Sequence, residues 1–208
     1  MNWILRKLSN QQGFTLVEII VVVAIIAILA GVLTPSIMKN INEAKITRAT
    51  GDTKAIGTAI SSFFVDVGRW PTERGEDAVL DDDLTLLYGG VGTAPTDDAT
   101  SAGWVTATPV GNTEDTFENH LLTNTPKGQA VNVYPITGSI YWKGPYLPEI
   151  KSDPWGNYYS CNIQYIYGVA GNAVAVASAG PNRGYDTDFA LSAAGASVSG
   201  DDIWYRLK

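Results

Sequence analysis

Residues 13–33 read GFTLVEIIVVVAIIAILAGVL, and the reading of this stretch decides the rest. From Phe14 to Leu33 the run holds 20 residues and one charged side chain, Glu18. A helix of that length spans roughly 30 Å, the thickness of a bilayer's hydrocarbon core. The β-branched residues Ile19, Ile20, Val21, Val22 and Val23 are poor helix formers in water. In lipid the helix is imposed, because every backbone N–H and C=O must be bonded within the segment. Residues 1–13 carry Arg6 and Lys7 and no acid, a flank that orients the amino end to the cytoplasm. A cleaved secretory signal needs a small-residue site after the run, where Ala30-Gly31 ahead of Pro35 is a weak match. A plain anchor explains the length and the basic flank. Neither explains Glu18, because a carboxylate inside an apolar span costs about 2.5–3.5 kcal/mol on insertion scales. Position alone leaves two readings of Glu18 open, a functional carboxylate or one shallow enough to reach the interface.

The six residues Gly13-Phe14-Thr15-Leu16-Val17-Glu18 resemble the processing site of type IV pilins and type II secretion pseudopilins. The resemblance implies that residues 1–13 are a leader removed on the cytoplasmic side, ahead of the apolar helix rather than after it. It implies cleavage between Gly13 and Phe14 by a prepilin peptidase and N-methylation of the new Phe14 amine. Glu18 then falls at the fifth mature position, where the family has its glutamate and gives it a role in subunit register. The physics agrees: a cationic amine and a carboxylate buried in lipid or in a fibre core each cost free energy unpaired, and pairing between neighbouring subunits neutralises both.

Beyond the membrane-spanning segment 14–34, the helical pattern continues through 35–67. Pro35 removes one backbone donor and predicts a kink or a local loosening; the family commonly has a proline at this place. Ile37, Ile41, Ala44, Ile56, Ile60, Phe63, Phe64 and Val67 recur at helical spacing between charged residues, so one face should pack on a soluble domain. Strict heptads of a coiled coil are not sustained. Gly68-Arg69-Trp70-Pro71 is the stop signal. One helix over 14–67 is therefore predicted.

The 208-residue chain has 14 basic and 21 acidic side chains, a formal charge of −7, one cysteine and one histidine. That balance argues against a broad nucleic-acid surface, and none is expected. One cysteine excludes an intramolecular disulfide, and Cys161 among aromatic strand residues reads as a buried inert thiol. One histidine excludes multi-histidine zinc sites, and His120 reads as a surface or packing residue on a short helix over 117–122. A membrane-anchored enzyme is disfavoured further by the lack of a G-x-S-x-G nucleophile motif or a phosphate loop.

Residues 68–208 read as a globular domain. Residues 76–140 look like a loop insert, and Asp81, Asp82, Asp83, Asp97 and Asp98 read as solvated loop acids first. Strand patterns appear over 158–167, 173–178 and 203–207, with a hairpin closing near 168–172. The fold class is α+β, a long N-terminal helix packed on a small antiparallel sheet, and the resemblance implies a type IV pilin-like fold. This half resembles the major pseudopilin of type II secretion. The residues that carry the likeness are Gly68-Arg69-Trp70-Pro71-Thr72 with Gly75, Gly144-Pro145-Tyr146-Leu147, Asp153-Pro154-Trp155-Gly156-Asn157-Tyr158, Ser178-Ala179-Gly180-Pro181-Asn182 and Asp201-Asp202-Ile203. It covers 8–72 well and 141–205 in pieces, while 76–140 matches poorly and is longer than the family pattern.

In the major pseudopilins a C-terminal loop binds calcium, so the resemblance implies Ca2+ here. Ser178, Asn182, Asp186, Asp188, Asp201 and Asp202 supply oxygens of the kind calcium takes. Asn182 stands where the family usually has an aspartate. A solvated acidic loop is the competing reading. The function implied is a structural subunit of a type II secretion pseudopilus, a homopolymer with minor pseudopilins. Its other implied partners are the prepilin peptidase, the lipid bilayer, and an inner-membrane assembly platform with its secretion ATPase. The chain would cross the bacterial inner membrane once, with its C-terminal domain in the periplasm. The alternative is a type IV pilin building a surface fibre for adhesion, motility or DNA uptake.

Overall fold

The computed structural model describes residues 13–72, 84–97, 103–104, 114–130, 133–167, 171–194 and 197–208. Arg6, Lys7, Gly75, Asp81, Asp82, Asp83, Asp98 and residues 168–170 of the expected hairpin lie outside these residues. The chain divides into two units, Met1–Glu43 and Ala44–Lys208. Helix α1, Leu16–Val67, begins in the first and ends in the second.

In the first unit α1 is apolar all round from Ile19 to Leu33 and is covered by none of the described residues: Ile28 is 68% exposed and Val32 72%, and Phe14 just ahead of the helix is 84% exposed. It is long and apolar enough to cross a membrane. Pro35 lies inside the helix, and the Thr34 hydroxyl donates to the Ala30 carbonyl at 2.6 Å, one turn back.

In the second unit α1 turns amphipathic. Ala49, Thr53, Ile56, Gly57, Ala59, Ile60, Phe63 and Val67 are buried, at the three-to-four-residue spacing of one helical face. The helix stops at Gly68, whose φ of 74° suits a residue without Cβ and whose N–H donates to the Phe64 carbonyl at 2.8 Å.

Among the described residues seven strands follow: β1 Leu86–Gly89, β2 Thr96–Asp97, β3 Glu114–Thr116, β4 Tyr159–Cys161, β5 Ala175–Ser178, β6 Gly184–Tyr185 and β7 Ile203–Arg206. The main sheet runs β3-β1-β4-β5-β7, and β2 pairs with β6. The sheet is mixed rather than antiparallel as expected: β1–β3 and β2–β6 are parallel, whereas β1–β4, β4–β5 and β5–β7 are antiparallel. A parallel pair needs a connection of a dozen residues or more, and residues 90–113 provide it. Segment 76–140 is accordingly not a loop throughout, since it contributes β1, β3 and helix α2, Phe117–Leu121. The strand expected over 158–167 ends at Cys161. There Asn162 turns the chain, its amide donating to the Ala173 and Phe189 carbonyls and its carbonyl accepting from Ala175 N–H. A 3-10 turn, Ile163–Tyr165, follows.

The strands alternate between two cores. Leu87, Cys161 and Val176 join the α1 face around Phe63, whose ring meets Tyr134 edge-on at 4.7 Å. Leu86 and Ala177 point the other way, to Trp104, Tyr185 and Phe189. Burial on both faces explains why β5 is apolar at Ala175, Val176 and Ala177 without the polar alternation of a half-exposed strand. Polar ties join α1 to the chain near Asp153: Tyr159 hydroxyl donates to Asp52 at 2.9 Å, and Arg48 to the Ser152 carbonyl at 2.9 Å.

Gly57 marks the closest approach of sheet and helix. A Cβ there would lie 2.3 Å from the Tyr205 ring on β7. Alanine gains about 1 kcal/mol of helix propensity over glycine, but overpacking costs about 1–3 kcal/mol. Gly57→Ala should therefore lower the thermal midpoint of the purified chain, and an unchanged or raised midpoint would show that β7 yields freely.

Candidate functional site

Two places hold the residues singled out from sequence. The first is the start of α1. Gly13, Phe14 and Thr15 precede the helix and are exposed, so the Gly13–Phe14 bond is clear of helical hydrogen bonding. Thr15 is the N-cap: its carbonyl accepts from Ile19 N–H at 3.3 Å, and its hydroxyl accepts from Glu18 N–H at 3.3 Å. Glu18 answers reciprocally. Its Oε2 accepts both the Thr15 N–H and the Thr15 hydroxyl at 2.8 Å. This is a capping box, two orphan groups of a helix start satisfied by one another. Thr15 went unassigned in the sequence reading, although Thr-x-x-Glu ahead of an apolar run is the signal for it. Glu18 and Pro35 sit on the same exposed helix, Glu18 at its start and Pro35 in its interior.

The second place is the loop over 178–203. Asp201 Oδ2 accepts Asn182 N–H at 2.9 Å, and the Asn182 amide donates to Asp186 at 2.8 Å. Asp202 Oδ2 accepts the N–H groups of Asp186 and Thr187 at 3.0 and 2.7 Å. The structure thus brings together Asn182, Asp186, Asp201 and Asp202. It separates the other two: Ser178 is buried and donates to Asp153 at 2.7 Å, and exposed Asp188 accepts from Ala190 N–H close by. Asp153 was missed as a loop anchor; it accepts Trp155 and Asn157 N–H on its other oxygen.

Among the described residues no three His, Cys, Asp or Glu side chains form a metal-binding group. Yet Asp201 Oδ1 and Asp202 Oδ1 are buried and receive no hydrogen bond, and burial raises the Asp202 carboxyl above the ordinary carboxylate value. Two orphaned carboxylate oxygens are hard donors of the kind calcium takes, so the residues fit that ion in chemistry while supplying fewer than its six to eight oxygens.

His120 is buried, not at the surface. Its Nδ1 lies 2.7 Å from the Tyr134 hydroxyl and its Nε2 2.9 Å from Asp115 Oδ2. The Nε2 contact is close but poorly aligned as a hydrogen bond. Asp115 also accepts from Thr116 N–H, Asn119 and Lys127 N–H. Burial alone would raise Asp115, but the His120 contact, the Lys127 N–H and the Asn119 amide outweigh it and hold its carboxyl below the ordinary carboxylate value. Fully enclosed, this cluster fastens α2 and Tyr134 to Phe63 and offers no access to a substrate. Cys161 is buried and its thiol is pushed up by burial, so it is inert.

Residues 8–34 match the family model of the prokaryotic N-terminal methylation motif. The chain is 44% identical over 72 residues to the type II secretion system core protein G of Pseudomonas aeruginosa, covering 34% of this chain and 51% of that protein. It is 39% identical over 72 residues to the core protein G of Aeromonas hydrophila, 34% of this chain and 50% of that one. It is 28% identical over 153 residues to fimbrial protein Q of Moraxella bovis, 68% of this chain and 97% of that protein. The chain spans about half the length of the secretion-system relatives it matches first. No solved structure matches it.

Because the folded-state pKa of Asp115 is lowered, its stabilisation is present above the ordinary carboxylate value and is lost as the pH falls through the lower folded one. Asp115→Asn should therefore be least stable relative to the native chain near neutrality, by about 1–3 kcal/mol. The gap should narrow as urea melts are taken below pH 4, and a constant gap would remove the charge from the account.

Proposed function

We propose that this chain is a structural subunit of a type II secretion pseudopilus. It is cleaved between Gly13 and Phe14, N-methylated on Phe14, anchored in the inner membrane by the start of α1, and polymerised through that helix with its C-terminal unit in the periplasm. The observation that carries the reading is α1 itself. From Ile19 to Leu33 it exposes apolar side chains all round, it holds one carboxylate at its start, and its first residues fall within the stretch 8–34 that matches the methylation motif. Such a surface is covered by lipid before assembly and by identical helices after it. Neutralising each Glu18 with a neighbour's Phe14 amine avoids an unpaired charge in that core. The prepilin peptidase, the platform, the secretion ATPase and the minor pseudopilins enter as the partners such a subunit requires. The chain is a building block rather than a catalyst.

Similarity to fimbrial protein Q over nearly all of that protein favours a second reading, a type IV pilin. Neighbouring genes separate them: a secretin with a secretion ATPase supports the first, a retraction ATPase the second. Within the first reading, calcium bound by Asn182, Asp186, Asp201 and Asp202 would neutralise the buried Asp201 and Asp202 oxygens and draw 178–203 closed.

Two outcomes are expected. Glu18→Ala should be processed normally yet give no filaments in sheared-cell fractions, and normal filaments would remove the charge pairing. Millimolar calcium should raise the melting temperature of the processed chain by RT ln(1 + [L]/Kd), and Asp202→Asn should abolish the rise. A native chain indifferent to calcium leaves the loop closed by its hydrogen bonds alone.

A further inference from the structure

We propose that Thr15 is the positioning residue of the assembly contact: the capping box commits one oxygen of Glu18 to its own helix and leaves the other for the neighbouring subunit's amine. This rests on the charge pairing of the proposed function and adds a residue to it. The three hydrogen bonds of the box converge on Glu18 Oε2, the Thr15 hydroxyl and the Thr15 and Glu18 N–H groups. Oε1 has no hydrogen bond among the described residues. A free glutamate on an apolar helix would sample several rotamers and pay rotamer entropy on pairing. Folded back onto the helix start, this one is held at the level of Thr15, the residue after the cleaved end.

The box also supplies the carboxylate with two donors where water is absent. A half-satisfied acceptor is cheaper to keep in lipid than a bare one, and it still lacks the partner that a cation completes. The incoming amine therefore need not displace the cap: the monomer's arrangement and the assembled one share the same Oε2 bonds. Valine at position 15 has nearly the shape of threonine but provides no hydroxyl, so it leaves the helix start without its side-chain cap and Glu18 with one donor fewer.

The test uses the full chain in cells that assemble it, with processing and methylation followed by mass spectrometry. Thr15→Val should be processed and methylated but give about fivefold fewer filaments, the factor that loss of one N-cap carries, and Thr15→Ser should restore the native yield. In detergent micelles, the processed chain should show slow exchange of the Thr15 amide, and Glu18→Gln should speed it several-fold. Native yield from Thr15→Val, equal loss from Thr15→Val and Thr15→Ser, or a Thr15 amide indifferent to Glu18→Gln would each overturn the positioning role. If Glu18→Gln instead builds normal filaments while the exchange result holds, the charge pairing falls and the cap remains only a helix start.

Discussion

The apolar surface of the first half of α1 has to be taken out of water, and none of the described residues of its own unit does it. At about 25 cal/mol per Å2, each exposed isoleucine or valine there forgoes roughly 1.5–3 kcal/mol. Lipid or, in the proposed filament, other copies of the helix would cover that surface, and there the single carboxylate near its start would set one packing register apart from another. In apolar-on-apolar contact every axial shift is nearly equivalent. A buried charge makes most of those shifts expensive, and so specifies position where hydrophobicity cannot.

The second unit solves an opposite problem. Its sheet is sandwiched, with Leu87, Cys161 and Val176 toward α1 and Leu86 and Ala177 toward Trp104, Tyr185 and Phe189. The second core is held by a long-range bond, Trp104 Nε1 donating to the Thr187 carbonyl at 2.8 Å. Thr187 N–H in turn reaches Asp202. The acidic loop is thereby fixed from both sides, from the sheet edge at β7 and from the aromatic cluster beneath it.

What the sequence made legible follows from the strength of each local signal. Twenty apolar residues with one acid, and a glycine-proline stop at Gly68 and Pro71, leave little freedom, and α1 falls where its period places it. β5 was visible in the alternation over 173–178, and β7 because Ile203, Trp204 and Tyr205 are strong β-formers. β3 was not, because Glu114 and Asp115 disfavour strands and the segment is held by pairing with β1 across a long connection. The break after Cys161 was hidden for a related reason. The alternation over 158–167 is real, but the Asn162 side chain does the backbone's pairing and bends the chain. At the loop, the acids were legible by type while their grouping was not: whether Ser178 faces Asp153 or Asp202 depends on contacts 25 and more residues apart. His120 was read as a packing or surface group, and its burial between Asp115 and Tyr134 depends on a strand invisible to local pattern.

Cys161 has one more consequence. The chain's sole sulfhydryl is sealed in the sheet beside Leu87 and Val176 with its proton held tightly. Maleimide chemistry on the folded molecule thus starts from a silent background. A cysteine introduced anywhere on the exterior becomes a unique handle, so pairs of such handles on neighbouring copies can map, residue by residue, who touches whom in the proposed polymer.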